Sequence, residues 1–233
     1  GLRNVIPADF LAPRFKRAHC TVLFSATLSP FHYYRDLLGL PECSVWREVE
    51  SPFVAQQLEV HVRSDISTRY HQRTASVPPI VATLAAHYQH KPGHYLAFFS
   101  SFAYLEQVMN AFEQAHPEIP VFAQTRSMQE PEREAFLARF TPGGKGIGFA
   151  VLGGAFAEGI DLPGERLIGA FVATLGLPPF NDFNEALKAR LQARFGRGDD
   201  YTYRIPGVIK VIQAAGRVIR SPDDEGVVVL MDD

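Results

Sequence analysis

Two arginines near the carboxyl end of the sequence have a spacing that suits the binding of phosphate. Arg217 and Arg220 lie in the stretch QAAGRVIR, residues 213–220, and on a helix they share one stripe with Gln213 and Gly216. Guanidinium groups one turn apart donate several N–H groups to phosphate oxygens, and the glycine lets another backbone approach closely. A helix face whose arginines form salt bridges would look similar, so the stretch alone leaves both interpretations open.

The element that must position these arginines is predicted to be an amphipathic helix over residues 207–220. At about 100° per residue, five apolar side chains fall within one stripe that a core would bury. They are Val208, Val211, Ile212, Ala215 and Ile219. The pattern therefore predicts a helix that buries one side and presents the arginines on a second stripe, about a third of a turn away.

A glycine-rich loop precedes this helix in the chain. The stretch GGAFAEGIDLPGE, residues 153–165, links two apolar runs and carries Glu158 and Asp161. Loops at the carboxyl ends of parallel strands often hold ligands, and closely spaced glycines let backbone N–H groups approach phosphate or ribose. Taken by itself, the loop could equally be a turn with solvated acids. The stretch TPGGKGIG, residues 141–148, is interpreted as a turn, because it lacks two required positions of a phosphate-binding loop.

Ser100 and Ser101 stand where a predicted strand ends and a predicted helix begins. Hydroxyl groups at this position cap the helix in most proteins. The same geometry presents hydroxyl and N–H donors to a nucleic-acid phosphate. The basic stretch 186–197 is interpreted mainly as a solvated face, with contact to a DNA backbone as the alternative.

Short apolar runs alternate with helix-like stretches along the chain, which predicts an α/β fold with a mostly parallel sheet flanked by helices. The predicted strands cover residues 21–25, 58–62, 94–100, 119–123, 146–152, 167–173 and 226–231. The predicted helices cover residues 31–38, 77–90, 102–115, 131–140, 184–195 and 207–220. The polar stretch 63–76 is interpreted as a mobile connection between elements.

The composition narrows the classes of partner. The chain has 233 residues, of which 46% are hydrophobic, so it suits one large domain or one domain with a borrowed piece. Its formal net charge is −2, so a polyanion would have to bind a local patch. Cys20 and Cys43 have neither zinc-ligand nor disulfide-framework spacing, and no metal site is expected. With no membrane span or signal layout, we expect a cytoplasmic protein without a membrane partner.

Four stretches, taken in order, resemble helicase motifs III, IV, V and VI. They are SATLSP at 25–30, LAFFSSFAYLEQV at 96–108, GGAFAEGID at 153–161 and QAAGRVIR at 213–220. Together they resemble the XPD/DinG family of superfamily 2 DNA helicases, and this resemblance covers essentially the whole chain. It implies a RecA-like fold, with residues 1–30 as a motif III segment of a first motor domain. Residues 31–233 are then a second RecA-like helicase domain with a helical insertion near 176–205.

The resemblance implies a nucleotide-facing role for the residues of motifs V and VI. Arg220 is expected to be an arginine finger directed at the γ-phosphate of ATP, and Arg217 a second phosphate or interdomain contact. Gln213 is expected to position water or phosphate. The residues expected to contact the nucleotide from the glycine-rich loop are Glu158, Gly159 and Asp161.

The resemblance assigns the two serine-containing motifs to DNA and to coupling. Ser100 and Ser101 are expected to touch the backbone of single-stranded DNA. Ser25 and Thr27 are expected to couple the state of ATP to the grip on DNA. The activity implied is ATP-dependent unwinding of DNA, in the 5′ to 3′ direction.

Departures from the family pattern indicate what the chain does not supply. It has no Walker A lysine and no acid box, and the four cysteines of the family's iron–sulfur cluster are missing. ATP and Mg²⁺ are therefore expected as cofactors of a full-length enzyme, with the cluster outside this chain and none of these groups held by this chain alone. The expected partners are single-stranded DNA and a missing first motor domain. We expect no ATPase activity from this chain by itself.

Two alternatives remain at this point. One is a non-catalytic RecA-like module that binds single-stranded DNA or a protein partner. The other is an unrelated doubly wound nucleotide-binding enzyme, which would need a phosphate loop that the sequence does not contain. An upstream GxGKT strand-loop-helix in the same reading frame would favour the motor over the module.

Overall fold

Residues 4–154, 156 and 161–233 are described by the computed structural model. The chain forms two compact units, which we call the sheet unit (Ser51–Leu177 and Lys210–Asp233) and the helical unit (Gly1–Glu50 and Pro178–Ile209). The helices are α1 (Ala8–Arg17), α2 (Phe31–Leu38), α3 (Arg73–His90), α4 (Phe102–Ala115), α5 (Glu130–Ala138), α6 (Asp182–Phe195) and α7 (Ile205–Ala215). In the part of the chain that is described, no helix is long and apolar enough to cross a membrane.

The sheet unit is built on one parallel sheet, which contains six strands within the described residues. They are β1 (Leu58–Arg63), β2 (His94–Phe99), β3 (Val121–Ala123), β4 (Gly146–Val151), β5 (Gly169–Ala173) and β6 (Gly226–Met231). Their order across the sheet is β1-β6-β5-β2-β4-β3. Because the chain crosses from one side of β2 to the other between β4 and β5, the loops that follow β2, β4 and β5 lie at a switch in strand order. Such a switch is where open α/β sheets bind ligands.

Both faces of the central strands β2, β4 and β5 are buried, as their continuous apolar runs predict, whereas Val60 and Val62 of the edge strand β1 are exposed. In β2 all five residues from Tyr95 to Phe99 are 1% exposed or less, and they alternate between two separate apolar clusters. One cluster contains side chains of α3 and α4, and the other contains side chains of α5 and the end of α7. The predicted α/β fold with a parallel sheet is thereby confirmed.

The structure corrects several of the predicted boundaries. Residues 21–25 form no strand, and the side chains of Val22 and Phe24 are exposed. The polar stretch 63–76, predicted to be a connection, includes the first turn of α3, which begins at Arg73. Helix α1 has no counterpart among the predicted elements. The predicted burial of Val208 and Ile212 is wrong, since both are more than half exposed.

Polar contacts hold the helical unit together. Arg194 of α6 donates to both carboxylate oxygens of Asp9 in α1, at 2.9 and 2.6 Å. Tyr201, in a π-helical turn over Asp200–Arg204, donates its hydroxyl to Asp36 Oδ2 of α2 at 2.6 Å. Since α6 and this turn lie in the 178–209 segment, that segment and residues 4–50 form one packed unit.

Candidate functional site

The two arginines of QAAGRVIR lie in a turn and not on a helix. Helix α7 ends at Ala215, and the N–H groups of Arg217 and Val218 donate to carbonyls only three residues earlier, at 3.2 Å each. This tightening turns Val218 inward, where it is 1% exposed. The prediction of a helix to residue 220 is therefore wrong, and the common helical stripe for Arg217 and Arg220 does not exist.

A buried carboxylate fixes the turn that carries Arg220. Asp224 is only 6% exposed and accepts hydrogen bonds from the N–H groups of Arg220 at 2.7 Å and Ser221 at 2.8 Å. It also accepts from the hydroxyl of Ser221 at 2.6 Å and from the N–H of Gly164 at 3.2 Å. A single side chain therefore joins the Arg220 turn to the end of the glycine-rich loop. Asp224 is not among the site residues predicted from the sequence.

These donors keep Asp224 ionised in spite of its burial. Burial by itself raises the pKa of the carboxyl group, because it removes the charge from water. The hydrogen bonds from the Ser221 side chain and from the N–H groups of Arg220, Ser221 and Gly164 stabilise the charge and outweigh that effect. The pKa of Asp224 is therefore lowered overall.

The carbonyl groups of the same turn are satisfied by a second side chain. The amide nitrogen of Gln57, just before β1, donates to the carbonyl oxygens of Pro222 and Asp224, at 2.9 Å each, and to that of Ser221 at 3.3 Å. Its amide oxygen accepts from the N–H of Val54 at 2.9 Å. In the turn of residues 220–224, Asp224 thus accepts from backbone N–H groups and Gln57 donates to backbone carbonyl groups. These hydrogen bonds together fix the conformation of the turn.

The fixed turn places Arg220 beside one residue of the glycine-rich loop. Arg220 Nε lies 3.4 Å from Asp161 Oδ1, so two of the residues expected to face a nucleotide are brought together. The Arg220 side chain is 31% exposed and that of Asp161 is 77% exposed, so the pair is accessible to a ligand. Arg217 is half-buried. Glu158 and Gly159, expected at the same site, lie outside the described residues.

The start of the glycine-rich loop lies under a lysine that is not among the predicted site residues. Gly153 follows the carboxyl end of β4 and has a φ of 79°, which favours glycine. The side chain of Lys210 in α7 packs on it, because a Cβ at Gly153 would lie 3.4 Å from Lys210 Cδ and Cε. Gln213, one turn further along α7, is half-buried. The loop therefore has a cation at its amino-terminal end and Asp161 near its carboxyl-terminal end.

Ser100 and Ser101 lie at the carboxyl end of β2, as predicted, and have different partners. Ser101 is the N-cap of α4, where its hydroxyl accepts from the N–H of Tyr104 at 3.3 Å. Ser100 is exposed and accepts a hydrogen bond from Arg73 Nη2 at 2.8 Å. Arg73 thereby adds a positive charge to this edge of the sheet.

Ser25 and Thr27 lie in the helical unit. The N–H of Thr27 donates to Ser25 Oγ at 3.2 Å, and the two hydroxyl oxygens are 3.4 Å apart. The hydroxyl of Tyr34 in α2 donates to the carbonyl oxygen of Thr27 at 2.6 Å. The pair therefore forms a local turn that α2 supports.

Among the described residues, no three His, Cys, Asp or Glu side chains are grouped closely enough to hold a metal ion.

Comparison with known sequences places the chain among helicases. It matches the helicase C-terminal domain family over residues 84–233. It is 24% identical to the ATP-dependent DNA helicase XPD of Sulfolobus acidocaldarius, over 91% of this chain and 38% of the relative. It is 26% identical to the general transcription and DNA repair factor IIH helicase subunit XPD of Arabidopsis thaliana, over 95% of this chain and 31% of the relative.

A solved helicase structure has the same fold as this chain. A structure of apo XPD superposes with a TM-score of 0.72 at 21% identity, over 89% of this chain and 43% of that chain. This likeness identifies the fold as RecA-like. The chain spans less than half the length of each of these relatives.

Proposed function

Because the chain belongs to the helicase C-terminal domain family of the XPD/DinG helicases, we propose that it acts as the second motor domain of an ATP-dependent DNA helicase. In this proposal the whole protein moves 5′ to 3′ on single-stranded DNA. A first motor domain, to which residues 1–30 would contribute a motif III segment, supplies the phosphate loop and the ligands of Mg²⁺. The family's iron–sulfur cluster is also assigned to that other part of the protein.

The observation that carries this proposal is the rigid turn that holds Arg220 beside Asp161. Phosphoryl transfer develops negative charge on the γ-phosphate oxygens, and a guanidinium group stabilises that charge best when its position is fixed in advance. Asp224 fixes the main chain of Arg220 through its N–H group at 2.7 Å. We assign Arg220 as the arginine finger and Arg217 and Gln213 as further phosphate or water contacts.

The glycine-rich loop and the serine pair complete the proposed roles. We assign Glu158, Gly159 and Asp161 to nucleotide contact, with Asp161 also orienting the Arg220 side chain. Ser100 and Ser101 are assigned to the backbone of single-stranded DNA. This is supported by the N-terminus of α4, which presents N–H groups at the same edge of the sheet. Ser25 and Thr27 are assigned to coupling between ATP and DNA.

The test is ATP turnover by the full-length protein with Arg220→Ala. Loss of an arginine finger lowers turnover by roughly a thousandfold or more, whereas ATP affinity changes little. Arg133→Ala is a matched control, because Arg133 Nη1 also lies 3.3 Å from an acid, Glu130, but on helix α5. Weaker ATP binding with unchanged turnover per bound ATP would reassign Arg220 from catalysis to affinity.

The isolated chain distinguishes the motor from a non-catalytic module. We expect no measurable ATPase activity from the chain alone, because it has no Walker A lysine. Turnover by the isolated chain that depends on Arg220 would overturn the proposal of a half-motor. A full-length protein that binds single-stranded DNA but has no ATPase activity with DNA present would favour the module.

A further inference from the structure

Among the described residues, the contacts of one arginine at the carboxyl edge of the sheet are with neutral groups. The guanidinium carbon of Arg73 lies 5.3 Å from the ring centre of Tyr70 and 5.1 Å from that of Tyr104. Its Nη2 donates to Ser100 Oγ at 2.8 Å, and its Nε donates to the carbonyl oxygen of Thr68 at 3.3 Å. The charged group is thus fixed by two rings, a hydroxyl and a carbonyl.

Within the described residues, this arrangement gives Arg73 no direct ion-pair partner. Arg63 lies 2.7 Å from Asp65, and Arg133 lies 3.3 Å from Glu130. Throughout the residues that the structure describes, no carboxylate lies within salt-bridge distance of Arg73. A guanidinium group that is fixed and half-buried without an acid partner attracts an external anion such as phosphate.

The two rings that contact Arg73 differ in their surroundings. Tyr104 is 1% exposed, and its hydroxyl lies 2.5 Å from Ser76 Oγ. Tyr70 is 85% exposed. The inner ring therefore supports the guanidinium group, while the outer ring presents an aromatic surface to solvent next to a positive charge.

The backbone before Tyr70 is also held in place. The N–H of Thr68 donates to Asp232 Oδ1 at 3.1 Å, and its hydroxyl donates to the other oxygen of Asp232, just after β6. The short 3-10 helix Tyr70–Gln72 then leads directly into α3. The exposed ring is thus positioned by the end of the sheet, as a binding contact requires.

We propose that Tyr70 and Arg73 bind one nucleotide unit of single-stranded DNA, Tyr70 by stacking on the base and Arg73 by contact with the phosphate beside Ser100. The proposal rests on the proposed function, which assigns Ser100 and Ser101 to the DNA backbone. A π-surface beside a cation is the combination by which proteins hold single strands without regard to sequence. The contact extends the binding surface from α4 to the start of α3.

The test is binding of a fluorescently labelled oligodeoxythymidylate to the full-length protein, measured by fluorescence anisotropy at several salt concentrations. Tyr70→Ala is expected to weaken binding by on the order of tenfold with an unchanged salt dependence, and Tyr70→Phe to bind like the unmodified protein. Arg73→Gln keeps a donor for Ser100 and removes the charge. It is expected to weaken binding and to reduce the log–log salt slope by about 0.7, which corresponds to one phosphate contact.

Arg133→Gln serves as the control for charge, and thermal unfolding of each variant reports on folding. A purely structural role for Arg73 predicts lower stability with an unchanged salt slope, and that result overturns its assignment to phosphate. If Ser100→Ala and Ser101→Ala weaken binding but Tyr70→Ala and Arg73→Gln do not, the inference is wrong and the proposed function stands. If the unmodified protein does not bind the oligonucleotide even at low salt, both are contradicted.

Discussion

Replacement of Asp224 by alanine is expected to loosen the Arg220 turn and to destabilise the sheet unit. The change removes the acceptor for three backbone N–H groups and one hydroxyl, those of Arg220, Ser221 and Gly164. Asp223 is the matched control, since it is the preceding acid in the same turn and is exposed. The comparison of Asp224→Ala with Asp223→Ala therefore isolates the buried hydrogen bonds.

The size of the effect follows from the number of donors left without an acceptor. A buried N–H group that loses its partner costs about 1–3 kcal/mol, although water can reach some of the three. We therefore expect Asp224→Ala to lower the free energy of unfolding by about 3–5 kcal/mol. Asp224→Asn retains one oxygen acceptor, so about 1–2 kcal/mol is expected. Asp223→Ala should stay within about 0.5 kcal/mol of the unmodified protein.

Hydrogen exchange measures the effect where it should occur. If opening of the turn becomes easier by about 3 kcal/mol, exchange of the amides of Arg220 and Ser221 speeds up by about a hundredfold. Exchange should also accelerate at Gly164, which is distant in sequence but shares the carboxylate at 3.2 Å. Urea unfolding of the same variants gives the global free energy.

Two results would refute this reasoning. One is a free energy of unfolding for Asp224→Ala within about 1 kcal/mol of that of Asp223→Ala, since three unpaired donors cannot cost so little. The other is faster exchange at Ser221 with no change at Gly164, which would mean that Asp224 does not join the two loops. Either result would also remove the physical basis for a prearranged Arg220.

The charge of Asp224 predicts how stability depends on pH. Its pKa is lower in the folded protein than in the unfolded chain, so the folded state releases this proton more readily. The stabilisation is fully present above the unfolded pKa of about 3.9 and is lost as pH falls through the lower folded value. The stability difference between the unmodified protein and Asp224→Asn should therefore shrink below about pH 4.

Three further changes test the packing around the sheet. Gln57→Ala removes the donor to three carbonyl groups and should lower the free energy of unfolding in urea by about 2–3 kcal/mol. Gln56 is the adjacent, exposed glutamine, and Gln56→Ala should not lower this free energy. Gly226→Ala should destabilise by several kcal/mol in thermal unfolding, because its Cβ would lie 2.2 Å from Val218 Cγ1 and 2.8 Å from a backbone oxygen. Burial lowers the pKa of His94, so the unfolded chain takes up this proton more readily than the folded protein. The free energy of unfolding should therefore fall as pH drops below about 6.5, and acid unfolding curves of His94→Leu should show a smaller fall.

The apolar runs of the sequence predicted the central strands of the sheet well because those strands are buried on both faces. A run such as GVVVLM has no helical period and no polar alternation, and β6 begins and ends within it at Gly226 and Met231. The run TVLFS, residues 21–25, has the same local character but forms no strand. A strand needs a partner as well as propensity, and within the described residues no strand is paired with this run.

The errors near the candidate site have a different cause. Val218 and Ile219 continue the apolar period of α7, so the sequence could not distinguish a helix from a turn whose side chains enter the core. Asp224 is not among the predicted site residues, since its donors become visible only when Gly164 is brought to it by the fold. Arg73 lies in a polar stretch, and its neighbours are distant in sequence: Ser100 follows β2 and Tyr104 lies in the first turn of α4.

The main-chain contact of Arg220 is stronger than its side-chain contact, and that difference suits the role proposed for Arg220 at a nucleotide. Its N–H group is held by the buried carboxylate of Asp224, so the position of its Cα is fixed. Its contact with Asp161 is an accessible ion pair, which contributes about 1 kcal/mol or less. Exchange of Asp161 for a phosphate oxygen therefore costs little, while the anchored main chain limits how far the guanidinium group can move. Asp161→Asn should accordingly change ATP turnover by the full-length protein far less than Arg220→Ala does.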